Sequence, residues 1–356
     1  MESLERSTFV VSPEEPILIT GATGFIGSKL VERLLTRGFR NLRCFARPSS
    51  DAAKIELLSK NNGGANLQVM RGNLLSRDDC ANATKDVKVI FHLAAGRGEK
   101  SFPDAFMNSV VTTRNLVEAA LLTQSLQRFV NISSFAVYTN RQTNHRGILD
   151  ESCPTESHPH TVGDAYCFAK VKQDQIVSEY GKKYGMPYVT IRPGYVYGPG
   201  NLGISGRVGI GSFGVFLHLG GANPIPFTYV DNCAEAIALA GVRKGIDGQV
   251  FNVVDDDLPS SREFLRLYKK HVAPFSSVYL PHILSYGLCY LWEKYSVWSE
   301  GQLEPVYNRK KWQMYWKKTR YSNRKLKRSL GWTPAISTAE GLRRYFEACR
   351  GAQLHA

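Results

Sequence analysis

Apolar and polar positions follow a regular rhythm through the first half of the chain. Pro16 to Thr20 (PILIT) is a short apolar run of strand type, and the turn GATGFIG (21–27) follows it at once. SKLVERLLTRG then sets Leu30, Val31, Leu34 and Leu35 at helical spacing, ended by Gly38. Further strand-type runs are NLRCFA (from 41), LQVMRGN, VKVIFHLAA, QRFVNISS and MPYVTIRP, with NSVVTTRNLVEAALL as a helix among them. Short strands alternating with helices of this length predict an α/β fold, a Rossmann-type doubly wound parallel sheet with a smaller C-terminal substrate-binding domain. The expected division is an extension over 1–15, a nucleotide-binding domain over 16–194 and a mainly substrate-binding part over 195–356. A late strand near 249–254 is expected to return to the sheet or its edge.

Beyond 194 the rhythm breaks. Residues 198–227 carry nine glycines and the pair Phe213 and Phe216, with Arg207 as their only formal charge, and read as a mobile apolar lid. VYLPHILSYGLCYLW (278–292) has no formal charge, but Pro281 and Gly287 interrupt it and it is shorter than the twenty or so residues a span needs. Then comes RKKWQMYWKKTRYSNRKLKR (309–328), ten Lys or Arg and no acid, interleaved with Trp312, Tyr315, Trp316 and Tyr321.

Charge alters the picture locally. The net formal charge is +14, and the 309–328 stretch supplies most of it. Cations among rings suit single-stranded nucleic acid, yet the rest of the chain is only mildly basic, so nucleic acid is not the expected partner. An apolar segment followed by a polybasic, Trp/Tyr-rich one is also a two-signal arrangement for peripheral contact with an anionic membrane, here over 278–328. A buried helix followed by a solvated basic one is the alternative. Seven scattered cysteines without CxxC spacing argue against a disulfide framework or a metal site, and fit a reducing compartment. MESLERSTFVVSPEEP has no apolar run of signal-peptide type, so a cytoplasmic location is expected.

The strand–glycine turn–helix unit points to a dinucleotide. Gly21 permits the tight turn, Gly24 lets the backbone approach a pyrophosphate and Gly27 lets the helix pack on the strand, with Thr23, Phe25 and Ile26 completing the turn. A cofactor with a free ribose 2′-hydroxyl calls for an acid at the end of the second strand. That place holds Ala46, followed by Arg47, which can pair with a 2′-phosphate, so NADP(H) is expected over NAD(H). Asn73 and Leu74 follow the third strand on the adenine side, while Ala94, Ala95 and Pro193 line the nicotinamide path. His92 lies in an apolar strand and is expected to be a satisfied core residue.

Tyr166 and Lys170 stand at i and i+4 on one face of an expected helix, about thirty residues after Ser133–Ser134 end a strand. A tyrosine is a poor base at neutral pH, and a lysine one turn away favours its anion. Ser134 can hydrogen-bond the substrate oxygen. These are the parts needed for proton exchange at a carbinol during hydride transfer.

TGATGFIG, HLAA, NISSFAVY, YCFAK and RPGYVYGPG, in this order, resemble an extended short-chain dehydrogenase/reductase of the NAD-dependent epimerase/dehydratase superfamily over about 16–350. The resemblance implies Tyr166 as catalytic acid/base, Lys170 holding the nicotinamide ribose, Ser134 as second substrate contact and Asn108 steadying the lysine through a water. The usual Gly-Thr after that asparagine reads Thr112-Thr113 here. FTYVDNCAEAI (227–237) resembles the 3β-hydroxysteroid and sterol dehydrogenase branch. Sugar dehydratases of this family place Asp-Glu after the catalytic hydroxyl residue, where this chain has Phe135-Ala136. Epimerases retain a tightly held NAD, which fits Ala46 and Arg47 poorly. The expected activity is an NADP(H)-dependent interconversion of hydroxyl and ketone on a bulky apolar substrate of sterol, terpenoid or long-chain β-keto type. The alternatives are a nucleotide-sugar reductase or epimerase and, in another class, a non-catalytic dinucleotide-sensing or RNA-binding protein. A homodimer is a family expectation.

Overall fold

The computed structural model describes residues 8–62, 64–95, 101–140, 147–212, 214–300, 302–303 and 306–354. Residues 1–7 of the extension and Phe213 of the expected lid lie outside the described residues. The strands β1 (Ile17–Thr20), β2 (Asn41–Ala46), β3 (Asn66–Arg71), β4 (Val89–His92), β5 (Arg128–Ile132), β6 (Tyr188–Pro193) and β7 (Val250–Val253) form one sheet in the order β3-β2-β1-β4-β5-β6-β7. Every neighbouring pair is parallel.

The helices facing this sheet are α1 (Phe25–Thr36), α2 (Ala53–Asn61), α3 (Arg77–Thr84), α4, α5 (Ala165–Tyr184) and α6 (Val230–Val242). α4 is one continuous helix made of Phe102–Ala105, the π-helical turn Phe106–Val111 and Thr112–Leu122. Strand periodicity explains the layering. Ile17 and Ile19 point to the core shared with Leu30, Val31 and Leu34 of α1 and Ile237 of α6, while Leu18 points to Leu116, Val117 and Val177 on the other face. Both faces of the sheet are therefore covered, which is what its near-continuous apolar strands require. The guanidinium of Arg128, fully buried in β5, pairs with Asp247 (Nε–Oδ1 2.7 Å) and donates to the carbonyls of Ala240 and Arg243, tying the end of α6 to the sheet.

β7 forms the edge beside β6, and α6 packs against α1, so residues 230–253 of the segment assigned to the substrate side belong spatially to the sheet domain. Part of the expected lid is regular structure. Gly209–Ser212 and Val215–His218 form an antiparallel hairpin, and Ser277–Tyr279 joins it in parallel. Four more helices complete the C-terminal part: α7 (Ser261–His271), α8 (His282–Trp298), α9 (Arg309–Tyr315) and α10 (Arg324–Leu330), before the closing α11 (Thr338–Leu354). The FTYVDN segment is a structural clip. Asn232 donates to Asp255 and to the carbonyl of Ile336, accepts from Ile336 N–H, and its own carbonyl takes Trp332 Nε1–H.

Candidate active site

The candidate groups other than Asn108 lie at or beside the carboxyl ends of the parallel strands, across the point where the order reverses between β1 and β4, the crevice in which open α/β sheets bind ligands. Gly21 leaves β1 with φ +71°, and a Cβ there would stand 2.9 Å from Ala94 N, so the turn after β1 and the loop after β4 touch only because residue 21 is glycine. A Cβ on Gly27 would lie 2.1 Å from Gly21 O, which closes that position to any side chain. Gly24 is different: it has ordinary φ, is exposed, and forms the N-cap of α1 with no side-chain cap. The first turn of α1 holds no acidic residue. This uncapped, acid-free helix start fits a pyrophosphate, whose oxygens the open N–H groups would hold.

β2 ends with Ala46 buried and Arg47 exposed. Arg71 Nη1 braces the following loop by donating to the carbonyls of Pro48 (3.1 Å) and Ser50 (2.8 Å). Asn73, exposed just past β3, shapes its own turn by accepting Leu75 N–H, and Leu74 is buried beside it.

α5 delivers the proposed proton-transfer pair. Asp164 caps it, accepting Cys167 N–H at 2.9 Å, and Tyr166 follows in the first turn, 40 % exposed. Lys170 is buried, its ammonium donating to Ile132 O at 2.8 Å and lying 6.0 Å from the Tyr166 ring centre. Ile132 ends β5, and Ser134, half-buried, caps the short 3-10 turn Phe135–Val137 that follows. The lysine thus ties the Tyr166 helix to the strand that carries Ser134. Asn108 stands apart: it is exposed in the π-helical turn, its carbonyl accepts Thr112 Oγ1, and the buried position of that turn is Ser109.

A family model described as the NAD dependent epimerase/dehydratase family matches residues 17–253. The chain belongs to this family. A trifunctional UDP-glucose 4,6-dehydratase/UDP-4-keto-6-deoxy-D-glucose 3,5-epimerase/UDP-4-keto-L-rhamnose-reductase of Arabidopsis thaliana is 29% identical over 259 residues, 67% of this chain. The chain spans only 36% of that protein's length. Cinnamoyl-CoA reductase 1 of Oryza sativa is 30% identical over 185 residues, 51% of this chain and 54% of that one. The UDP-glucuronic acid 4-epimerase of Bacillus cereus, solved with UDP-glucuronic acid and NAD, superposes with a TM-score of 0.69 at 21% identity over 95% of this chain and 99% of that one. The family model alone places the chain in the broad epimerase/dehydratase family, and these relatives give the steroid branch no support of their own.

Within this family member, His92 is a buried structural group. Thr113 Oγ1 gives its proton to Ser109 O (2.6 Å) and receives Gln173 Nε2–H (2.7 Å), so His92 must donate to it from Nε2 (2.8 Å). Nδ1 then accepts from Thr20 Oγ1 at 2.9 Å, and that hydroxyl receives Ala94 N–H at 3.3 Å. Burial first, and the Lys170 charge second, push the imidazole down to about 3, so it stays neutral. The network joins β1, β4, α4 and α5 directly behind the site. Sequence reasoning did not assign Thr20, Thr113 or Gln173. Gln173 was findable, since it falls seven residues after Tyr166 on the same helix face. Asp164 was findable too, as an N-cap residue two places before Tyr166.

Proposed function

We propose that the chain is a nucleotide-sugar oxidoreductase, a reductase or epimerase that interconverts a secondary hydroxyl and a ketone on the sugar ring. The observation that carries this reading is the Tyr166–Lys170–Ser134 edge in a chain that aligns over 67% of its length with a UDP-sugar enzyme. The glycine turn and the start of α1 would hold the pyrophosphate of a nicotinamide cofactor, which would supply or accept the hydride at the substrate's reacting carbon. Tyr166 exchanges the hydroxyl proton, the Lys170 ammonium favours the phenolate, and the Ser134 hydroxyl holds the substrate oxygen. Phe135 and Ala136, both buried, bring no carboxylate to the turn after Ser134, so the chain's own residues there favour oxidation and reduction over loss of water. Arg207, Lys310 and Lys317 reach the elements around the start of α5, where a diphosphate would need cations: Arg207 lies over the Tyr315 ring, Lys310 binds Thr161 and Lys317 donates to Asn140 O. Arg47 in place of an acid supports NADP(H) and hence a released cofactor.

A second reading is an alcohol–ketone interconversion on a bulky apolar molecule, of the 3β-hydroxysteroid dehydrogenase type. A cavity of about 420 Å³, lined chiefly by leucines and aromatic rings of the hairpin and α8, favours it. A screen separates the two. NADPH consumption is followed with nucleoside-diphosphate keto-sugars, sterol ketones and β-keto acids, and any cofactor carried through purification is identified. Turnover of keto-sugars alone supports the first reading. Turnover of sterol ketones or β-keto acids alone overturns it in favour of the second.

A further inference from the structure

The outward side of α8 departs from what water selects. Its buried positions are Ser285, Cys289 and Ser296, whereas Ile283 is 91 % exposed, Leu291 62 %, and Val297 and Trp298 74 % each. A helix lying against a globular core in water does the reverse, burying its apolar stripe and showing its polar side. The inward polarity has a local cause. Ser285 Oγ accepts Trp312 Nε1–H at 2.9 Å and donates to His282 O, and Ser296 Oγ donates to Leu303 O. The outward apolarity of Ile283, Val297 and Trp298 has none among the described residues, where these side chains stay largely exposed.

The patch is contiguous and edged with charge. Val278 and Tyr279 extend it along the neighbouring strand, and Tyr295 and Trp298 bring amphipathic rings of the kind enriched at bilayer interfaces. Arg262 lies over the Tyr279 ring (5.4 Å), and Lys294 and Arg309 approach the Tyr290 ring (5.7 and 4.9 Å). Residues 261–328 hold fifteen Lys or Arg against four Asp or Glu. At 17 residues α8 is short for a span, and no helix among the described residues is long and apolar enough to cross a membrane. The apolar cavity between α8 and the hairpin is lined by Leu288, Trp292 and Tyr295 of this helix.

We propose that α8 seats the enzyme on an anionic bilayer. The helix lies in the plane of the interface, its apolar face reaches the acyl boundary, and the cations around it meet the headgroup phosphates. A second copy of the chain fits less well, because a two-fold contact would set this cationic rim against itself. Nucleic acid fits less well again. The rings that would stack on bases, Trp312 and Trp316, are buried: Trp312 donates to Ser285, and Trp316 Nε1 donates to Gly206 O. The site lies close to the seated face. α9 packs beside α8, and from it Tyr315 hydroxyl donates to Asp164, the cap of the Tyr166 helix, at 3.1 Å.

The test is flotation of the full chain with vesicles of phosphatidylcholine alone or mixed with phosphatidylglycerol, at low and high salt, beside an Ile283→Asp/Leu291→Asp variant. Both substituted residues are exposed, so folding should survive, and circular dichroism with a thermal melt checks that it does. The expected result is binding to the anionic vesicles that weakens in high salt, with a partition coefficient lowered about tenfold or more in the variant. Lys294→Glu, a surface change, should weaken binding severalfold at low salt only. Absence of the wild type from the floated anionic vesicles overturns the proposal. So does equal flotation of the folded variant. A wild-type dimer that ignores vesicles and becomes monomeric in the variant overturns it in favour of self-association.

Discussion

The cofactor edge and the α8–α9 face are built on opposite terms. At the edge, composition and burial agree: apolar strands run inside, and the glycine turn, Arg47 and Tyr166 come out where the strands end. At the α8–α9 face they part company. The cationic stretch from 309 buries Trp312, Met314 and Trp316, while the uncharged run before it turns Ile283 and Leu284 outward. Strand period and a covered sheet decide burial in the first region, and the chain itself carries that period. In the second, burial depends on which neighbour offers a partner. Trp312 is inside because Ser285 and Tyr286 of another helix receive it.

The strongest way to break this contrast acts on chemistry. Tyr166→Phe removes the group proposed to exchange the proton and leaves its ring in place, so kcat should fall by about 10²–10⁴-fold. Binding of the nicotinamide, followed by fluorescence titration, should stay within about twofold, since the glycine turn and Lys170 are untouched. Trp298→Ala, on the α8 face, should leave kcat on a soluble substrate unchanged. Near-full activity in the phenylalanine variant would falsify the assignment of this edge as the reacting one.

A stability comparison comes next. Trp312→Ala deletes a buried ring and leaves Ser285 Oγ without its donor, and should cost about 3–5 kcal/mol in urea denaturation. Trp298→Ala, 74 % exposed, should stay within about 0.5 kcal/mol. Equal costs at the two tryptophans would mean that the inversion between α8 and α9 is not real in solution.

Much of the edge could be read before any coordinates. The parallel, doubly wound sheet, with its glycine turn between β1 and α1, follows from local pattern and spacing, because a βαβ unit closes with one hand. What could not be read depends on partners distant in sequence. The glycines at 198–221 suggest a mobile lid, yet within that segment Gly209–Ser212 and Val215–His218 form a hairpin, to which Ser277–Tyr279 lends a third strand from over fifty residues away. The His92 network has the same character: Thr20 and Thr113 carry no individual signal in the sequence, and they form one unit with Gln173 only when α4 and α5 pack. The basic stretch misleads most, since several of its cations already have protein partners, Arg309 with Glu293 and Lys327 with Asp256 among them.

That network gives the edge a pH dependence. His92 has its folded-state value lowered to about 3, below that of an unfolded imidazole, so the unfolded chain binds the proton more tightly. Stability from this group is complete above about pH 6.5 and is lost as the pH falls towards 3, on the order of 3 kcal/mol by pH 4. His92→Gln removes the titration and should flatten this part of the acid limb in denaturation curves taken between pH 7 and 4, whatever it costs at neutral pH. An unchanged acid limb would show that His92 is reached by water and is not the sealed group its two threonine partners suggest.

The smallest expected effect tests how far the edge specifies its cofactor. Arg47 is exposed at the end of β2, so any pairing with a 2′-phosphate works through water-screened charge and a bidentate geometry, not through burial. Neighbouring Arg71 directs Nη1 at the loop carbonyls, which leaves Arg47 as the residue best placed to carry the discrimination. Arg47→Ala should therefore weaken NADP(H) binding about tenfold, roughly 1.4 kcal/mol, and leave NAD(H) binding unchanged. If the wild type binds both cofactors equally, Ala46 and Arg47 have merely lost the acid that favours NAD(H) without gaining selectivity. A tightly retained NAD would then point to an epimerase that recycles its oxidant, in preference to a reductase that releases it.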